Sequence, residues 1–437
     1  MSHSRRSFLA SVALASAGGL RPAPGAESEV QATGTADPNL SPFDTLFTSF
    51  LPEHKIPGAA VAVTRSGKLV YARGFGLADA EKKAPVRPDA LFRIASVSKP
   101  VTAVAVLMLV ERKKLKLDDP VLKYVKLKPA PANGADVDAR WDKVTVRQCL
   151  QHTGGWDRDR KGGFDPIGIP ARITRELKLD GPPTPGDVVR YMMGRPLDFD
   201  PGARFAYSNL GYLVLGRVIE SVTGQGYEPW VKQNVFKAVG THTPVLARAL
   251  PENRPKAEVA YRDSKDRKGP CLYPPRTGQR VPLPDGAQNV EGFEAHGGWL
   301  ASAVDLVRFA SALDTDRKSP LLSADTIKEM WARPEGEAGF TPDKKPRDVY
   351  YGCGWSVRPV GNKGRLNAWH NGLISGTSTL LVRRWDGLNW AVLFNTDASP
   401  DGKQPSALID GLMHVAADAV KKWPGGDLFE EFSSIPG

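Results

Sequence analysis

Strand-like hydrophobic runs occupy both ends of the chain, and helical segments fill the middle. GAAVAVTRSGKLVYARGFG (58–76) has two β-rich runs flanking Ser66-Gly67, a dipeptide suited to a tight turn, and predicts a hairpin. A helix is predicted next, from Ser98 to Lys113. Thr102 is the one polar side chain between Val101 and Val110, so this helix must be buried nearly all round. Basic residues at its C-terminal end suit the helix dipole. From about 117 to 295, helical segments such as TVRQCLQH, TPGDVVRYMMG and NLGYLVLGRVIESVTG alternate with Pro/Gly-rich loops. Two loops are long, Asp157 to Pro185 and Arg254 to Gly292, and loops of that length point to a functional rim or lid. SAVDLVRFASAL opens with Ser302-x-x-Asp305, an acidic variant of the capping box. The strand-like runs YGCGWSVRPV, GTSTLLVRRWDG and LNWAVLFNT follow, and the helical PSALIDGLMHVAADAVKKW closes the pattern.

This order predicts an α/β (α+β) fold. An antiparallel sheet is built from the N- and C-terminal segments with flanking helices, and a mostly helical lobe is inserted between them. The sheet lobe would span about 41–116 and 296–425, the helical lobe about 117–295. Before them, Arg5 and Arg6 precede an apolar run from Phe8 to about Leu20 that is too short for a membrane span. This is the pattern of a twin-arginine export signal over 1–26, with cleavage near Ala17 or Ala26, then a linker over 27–40. A periplasmic or secreted protein with no stable membrane span is expected.

Composition changes this picture little. Of 437 residues, 41% are hydrophobic and 24% charged, as in a soluble globular protein. The net charge of +11 is spread over short basic clusters, with no basic helix interleaved with aromatics, so no nucleic-acid partner is expected. Cys149, Cys271 and Cys353 form no C-x-x-C pair, and one disulfide with a thiol left over stays open. The seven histidines form no H-E-x-x-H or close pair, so neither a metal nor another cofactor is expected. Nothing in the pattern sets the oligomeric state.

Candidate chemistry begins with Ser96 and Lys99. At i and i+3 on a first helical turn they share a face and can touch. Backbone N–H groups and the positive dipole end near Ser96 would favour a developing oxyanion. Lys99 leads into an apolar helix, where desolvation and the dipole both disfavour the ammonium, so it could take the proton of Ser96 Oγ. Alone, the pair reads more readily as a helix cap and a lysine reaching back to solvent, because an isolated S-x-x-K is a weak signal. Tyr207-Ser208-Asn209 lies between a Pro-Gly turn and another apolar helix. Tyr207 could act as acid or base if cations lower its pKa, and Asn209 offers a donor and an acceptor. His370-Asn371-Gly372 leads into a strand-like run, and Gly372 could let a substrate lie against the backbone.

In this order, SVSK, YSN and HNG resemble the S-x-x-K, Y-x-N and K-T-G (or H-x-G) marks of the serine β-lactamase and penicillin-binding superfamily. VTVRQCLQHTGGW and HGGWLASAVDLVRFASAL are similar to two further segments of that family, and the resemblance covers about 41–420. It implies a β-lactamase/transpeptidase-like fold, with Ser96 as acylated nucleophile and Lys99 and Tyr207 sharing proton transfer. It also implies that Asn209 orients the substrate carbonyl side and Lys99, and that the backbone N–H groups of Ser96 and Leu373 form an oxyanion hole. His370 stands where penicillin-binding enzymes have lysine; a histidine is only partly charged near neutrality and would hold a substrate carboxylate less securely. No E-x-x-L-N segment is present, so the plan resembles class C enzymes and the related family VIII esterases, with Tyr207 serving deacylation.

The function implied is hydrolysis of an ester or amide of a small molecule or peptide through an acyl-serine. The alternatives are a D-alanyl-D-alanine carboxypeptidase or D-aminopeptidase, and a penicillin-binding-like sensor without turnover. An α/β-hydrolase is excluded because no G-x-S-x-G is present, and GFGLAD lacks the third glycine of a dinucleotide turn.

Overall fold

The computed structural model describes residues 30–131, 136–316, 318–361 and 363–432. The expected export signal, 1–26, lies outside them. After the short strand β1 (Ala32–Thr33) and helix α1 (Ser41–Glu53), the chain forms the expected hairpin, β2 (Gly58–Arg65) and β3 (Lys68–Asp79). Ser66 and Gly67 both take positive φ, 47° and 77°, the turn whose twist matches that of its strands. β1 pairs with Phe75 and Gly74 of β3, and Arg73 Nε donates to the Thr33 carbonyl at 2.8 Å. Within the expected linker, 27–40, Ala32 and Thr33 therefore join the sheet, and Pro38–Leu40 form a 3-10 turn. Helix α1 is also additional to the elements expected; its Phe43, Phe47 and Phe50 are buried against the sheet.

Helix α2 spans Ser98–Glu111 and α3 spans Asn209–Thr223. Helix α4 (Ala303–Ser311) starts at the capping box expected at Ser302 and Asp305. Strands β4 (Tyr350–Tyr351), β5 (Ser356–Val360), β6 (Arg365–Ile374), β7 (Thr377–Arg383) and β8 (Leu388–Phe394) precede the last helix, α5 (Pro405–Ala419). The sheet runs β1-β3-β2-β8-β7-β6-β5-β4, with neighbours antiparallel, so β2 and β8 join the two ends of the chain at its centre.

Both central strands are buried on two faces, and their alternation separates two cores. Val61 and Val63 of β2 with Trp390 and Val392 of β8 meet α1 and α5; Ala60, Ala62, Ala391 and Leu393 meet the core that holds α2 and α4. The first core contains Phe47, Ile409 and Met413; the second continues through α3 into the helical lobe. Every residue of α2 from Ser98 to Leu109 is buried. Its one polar side chain in the apolar run, Thr102, bonds the Ala295 carbonyl and the Tyr227 hydroxyl, both at 2.6 Å.

The two long loops are ordered differently from one another. Residues 157–185 hold a helix over Pro170–Leu177 and reach the cleft that Ser96 lines. Residues 254–292 contribute none of the residues lining that cleft, contrary to their expected place at its rim. They brace its back: Tyr261 Oη accepts from the Arg93 backbone N–H, and the Pro284 carbonyl accepts from its guanidinium, both at 2.8 Å. All three cysteines are free, buried thiols. Among the described residues no helix is long and apolar enough to cross a membrane.

Thr102 ties α2 to the 295–299 segment. Thr102→Val keeps the shape but strands the Ala295 carbonyl and costs the Tyr227 hydroxyl a partner; a loss of about 1–3 kcal/mol is expected in urea unfolding.

Candidate active site

Ser96 sits in a single 3-10 turn, Ala95–Val97, directly before α2. Two short strands set this turn: Phe92–Arg93 pairs with Leu300–Ala301, and the Ile94 N–H donates to the Trp299 carbonyl at 2.9 Å. From the other side the Thr379 hydroxyl of β7 donates to the Ile94 carbonyl at 2.8 Å. Ala95 is left at φ 47°, a left-handed conformation costing about 1–2 kcal/mol for a residue with a Cβ. The strain is local to the turn that presents the hydroxyl.

Gly372 belongs to this packing rather than to a substrate surface. A Cβ there would lie 2.4 Å from the Ile94 carbonyl oxygen and 3.0 Å from the Ala95 Cβ. Glycine is needed because the Ser96 turn lies against β6, a reason the sequence did not offer beside the expectation that it opens the backbone to substrate.

Lys99 is wholly buried, and its Nζ has three partners: Ser96 Oγ at 3.0 Å, Asn209 Oδ1 at 2.8 Å and the His296 carbonyl at 2.9 Å. Burial drives its pKa well below the ordinary lysine range; the Arg158 guanidinium pushes the same way and Asp165 opposes. In the neutral amine, two N–H bonds satisfy the Asn209 and His296 oxygens, and the lone pair is left for the Ser96 hydroxyl proton.

Tyr207 lies over this group, its ring centroid 4.9 Å from Lys99 Nζ and 4.7 Å from the Arg158 guanidinium. The cations anticipated for lowering its pKa are present but do not prevail. Burial raises it above the ordinary phenol value, opposed by a hydrogen bond with Ser96 and by Arg158, so Tyr207 rests as the phenol. Ser208 occupies the N-cap position of α3 without a side-chain cap bond, and Asn209 is the first helical residue.

His370 departs furthest from expectation. It is 3% exposed, its Nδ1–H donates to the Asn371 carbonyl at 2.7 Å, and its Nε2 accepts from Tyr351 Oη at 2.9 Å. Burial first, then the charge of Lys99, pushes its pKa down to about 3. The ring is neutral at physiological pH, where a partly charged one was expected, and it lies behind the cleft wall. Its neighbours Asn371 and Leu373 face the opening instead, Leu373 being 41% exposed. Pairing between β5 and β6 ends at Ser356–Trp369, which leaves residues 370–374 a strand neighbour on one side only. The cleft is about 410 Å³ and also takes in Ser96, Arg158, Ile167, Tyr207, Asn209, His296, Ile374 and Gln404.

Sequence reasoning missed several members. Arg158 and Asp165 come from the first long loop and form an ion pair at 2.8 Å. Tyr351 was visible only as the start of a strand. His152 sits in the segment matched to the family, but its place was not legible. Its Nδ1 accepts from the Ser208 N–H at 3.2 Å, and its ring packs 4.3 Å from Tyr207 and 4.4 Å from Tyr351. The described residues bring no three His, Cys, Asp or Glu side chains together as metal ligands.

A serine and a buried lysine under a tyrosine, on this sheet-and-helix frame, define a serine hydrolase of the β-lactamase class. The chain belongs to the Beta-lactamase family, whose profile matches residues 43–412. It is 33% identical over 314 residues to Esterase EstB of Burkholderia gladioli, covering 68% of this chain and 74% of that protein. It is 26% identical to Penicillin-binding protein 4* of Bacillus subtilis (strain 168), covering 85% and 74%. Among solved structures, a D-stereospecific amidohydrolase from Streptomyces sp. superposes with TM-score 0.61 at 25% identity, covering 85% of this chain and 98% of that one.

Gly372→Ala should push the nucleophile turn off β6 and lower kcat about tenfold or more on any substrate the parent turns over, with the melting temperature reported alongside. His370 binds a proton more readily unfolded, where the ordinary value is 6.5, than folded, at about 3. Its contribution to stability is therefore complete above pH 6.5 and is lost as pH falls toward 3. Urea unfolding from pH 8 to 4 should show a shallower pH slope in His370→Asn than in the parent.

Proposed function

We propose that the protein is an exported serine hydrolase that cleaves uncharged esters, and amides more slowly, through an acyl-Ser96 intermediate. The observation that carries this is the Lys99 amine, with two fixed acceptors, a depressed pKa and Ser96 Oγ at 3.0 Å. Lys99 takes the Ser96 proton as Oγ attacks the carbonyl carbon. The oxyanion forms in front of the backbone N–H groups of Ser96 and Leu373, two residues that line the same cleft. Tyr207, resting as the phenol, gives its proton to the departing alkoxide or amine and is reprotonated from Lys99. In deacylation, water attacks the acyl carbon, its proton passes through Tyr207 and Lys99, and Ser96 leaves protonated. Asn209 keeps one Nδ2 hydrogen available for the substrate's carbonyl side.

Preference for uncharged substrates follows from the cleft's electrostatics. Among the described residues that line it, the one arginine, Arg158, is already paired with Asp165; Lys99 does not line it and is buried behind Ser96. His370, at the position of the penicillin-binding lysine, is uncharged. A substrate carboxylate therefore meets no unpaired cation. Ile167, Leu373 and Ile374 offer an apolar wall for an acyl or alcohol group. The name of the Burkholderia gladioli relative supports the ester reading.

A panel of short- and long-chain nitrophenyl esters, a chromogenic cephalosporin and D-Ala-D-Ala peptides tests this. Ester turnover should lead, and Ser96→Ala should lower kcat by roughly a thousandfold or more. Full activity in Ser96→Ala would falsify the mechanism. A single burst on the ester without further turnover, or no labelling of the folded protein by either a fluorescent penicillin or a fluorophosphonate, would point instead to a non-catalytic penicillin-binding-like module.

A further inference from the structure

We infer that Asp165 and Arg158, which lie outside the SVSK, YSN and HNG motifs, are positioning residues for the catalytic lysine, joined to it through Asn209 in one hydrogen-bonded chain. This rests on the assignment of Lys99 as the base. The chain can be followed atom by atom. Arg158 Nη1 donates to Asp165 Oδ2 at 2.8 Å, Asn209 Nδ2 donates to that same oxygen at 2.6 Å, and Asn209 Oδ1 accepts from Lys99 Nζ at 2.8 Å. Lys99 in turn reaches Ser96 Oγ at 3.0 Å.

Chemistry alone assigns the orientation of the Asn209 amide. A carboxylate only accepts, so Nδ2 must face Asp165, and the oxygen is then the atom presented to Lys99. Without Asp165 the amide could turn and offer N–H to the amine. It would then compete with Ser96 for the lone pair that the reaction uses. Asp165 thus selects the productive rotamer of a residue it does not share an element with: Asp165 comes from the long loop and Asn209 from α3.

Arg158 has a second contact, its guanidinium lying 4.7 Å from the centroid of the Tyr207 ring. One ion pair therefore borders both proton-transfer groups, and Arg158 and Asn209 line the cleft where a substrate would sit. The two charges act on Lys99 with opposite sign, Arg158 against its ammonium and Asp165 in favour of it. The other titratable groups around it are His152 and His370, whose pKa values burial lowers, and Tyr207 and Tyr212, whose values burial raises. His296, which supplies the third acceptor through its carbonyl, is likewise held neutral by burial. Asp165 and Arg158 are thus the charged pair in this surround.

The test is the pH dependence of kcat/KM on the best nitrophenyl ester, in the full chain, with folding checked by melting temperature. Activity on the acid side requires neutral Lys99. Arg158→Gln should move the acid limb to higher pH and Asp165→Asn should move it to lower pH, each by roughly half a unit or more. Asp165→Asn keeps an acceptor for Asn209 and should retain most of kcat, whereas Asp165→Ala should lose about tenfold in kcat with KM little changed. If Asp165→Ala does not fold, the opposed limb shifts of the other two variants decide the matter. Limbs that stay in place, or move the same way in both variants, overturn the inference. Lys99→Ala, run in parallel, separates the two levels. If it is inactive while the limbs stay fixed, only the positioning role falls; if it keeps parent activity, the base assignment falls and this inference with it.

Discussion

An ammonium-bearing side chain with no solvent exposure is the constraint around which the rest of this structure is arranged. Burying an isolated charge costs several kcal/mol even after relaxation, and a neutral amine still needs its hydrogens and lone pair satisfied. Lys99 meets that requirement with three oxygens from three separate segments: Ser96 before α2, Asn209 at the start of α3, and the carbonyl of His296. Each segment must therefore be held to within a fraction of an ångström, and the fold supplies the holding. Helix α2 is packed on every side, Thr102 pins it to Ala295, and Ile94, just before the turn, is held by the Trp299 carbonyl on one side and the Thr379 hydroxyl on the other.

The site lies where the sheet and the helical lobe meet. The sheet side contributes Ser96 and Lys99 through α2 and the open stretch of β6; the helical side contributes Tyr207, Asn209 and the Arg158–Asp165 pair. Neither side holds a complete proton path. This division explains why the apolar core runs through α2 into α3 without a break, since slippage between the lobes would separate donor from acceptor. The aromatic rings of His152, Tyr207, Tyr351 and His370 pack together beside Lys99, which has no solvent exposure.

Burial sets the charge state of the lysine, the histidines and the tyrosine here. Lys99, His152, His296 and His370 are all pushed toward their neutral forms, and Tyr207 stays a phenol, chiefly because burial penalises the ion. The result is a site poised to move protons between neutral partners. Its one ion pair in contact with Asn209 is internally balanced, which suits a substrate without charge.

The sequence by itself determined the fold class and the family, and it singled out the groups proposed to react. The hairpin about Ser66-Gly67, the apolar run after Lys99 and the capping box at Ser302 are local signals, written in adjacent residues by turn geometry, desolvation and helix capping. Ser96, Lys99 and Tyr207 could be proposed together because SVSK and YSN are compact motifs whose order along the chain is distinctive, and the fold does bring them to one place. Helix α1 and the docking of Ala32–Thr33 on β3 were not legible, because they depend on apolar surface that exists only once the sheet is formed. The tertiary structure alone decided what HNG does: Gly372 makes room for Ile94, and His370, tied to Tyr351, loses its charge. It alone brought Asp165 to Asn209 across 44 residues of chain. Contacts of that range carry no local pattern, because the energy that selects them comes from desolvation in a site assembled from distant segments.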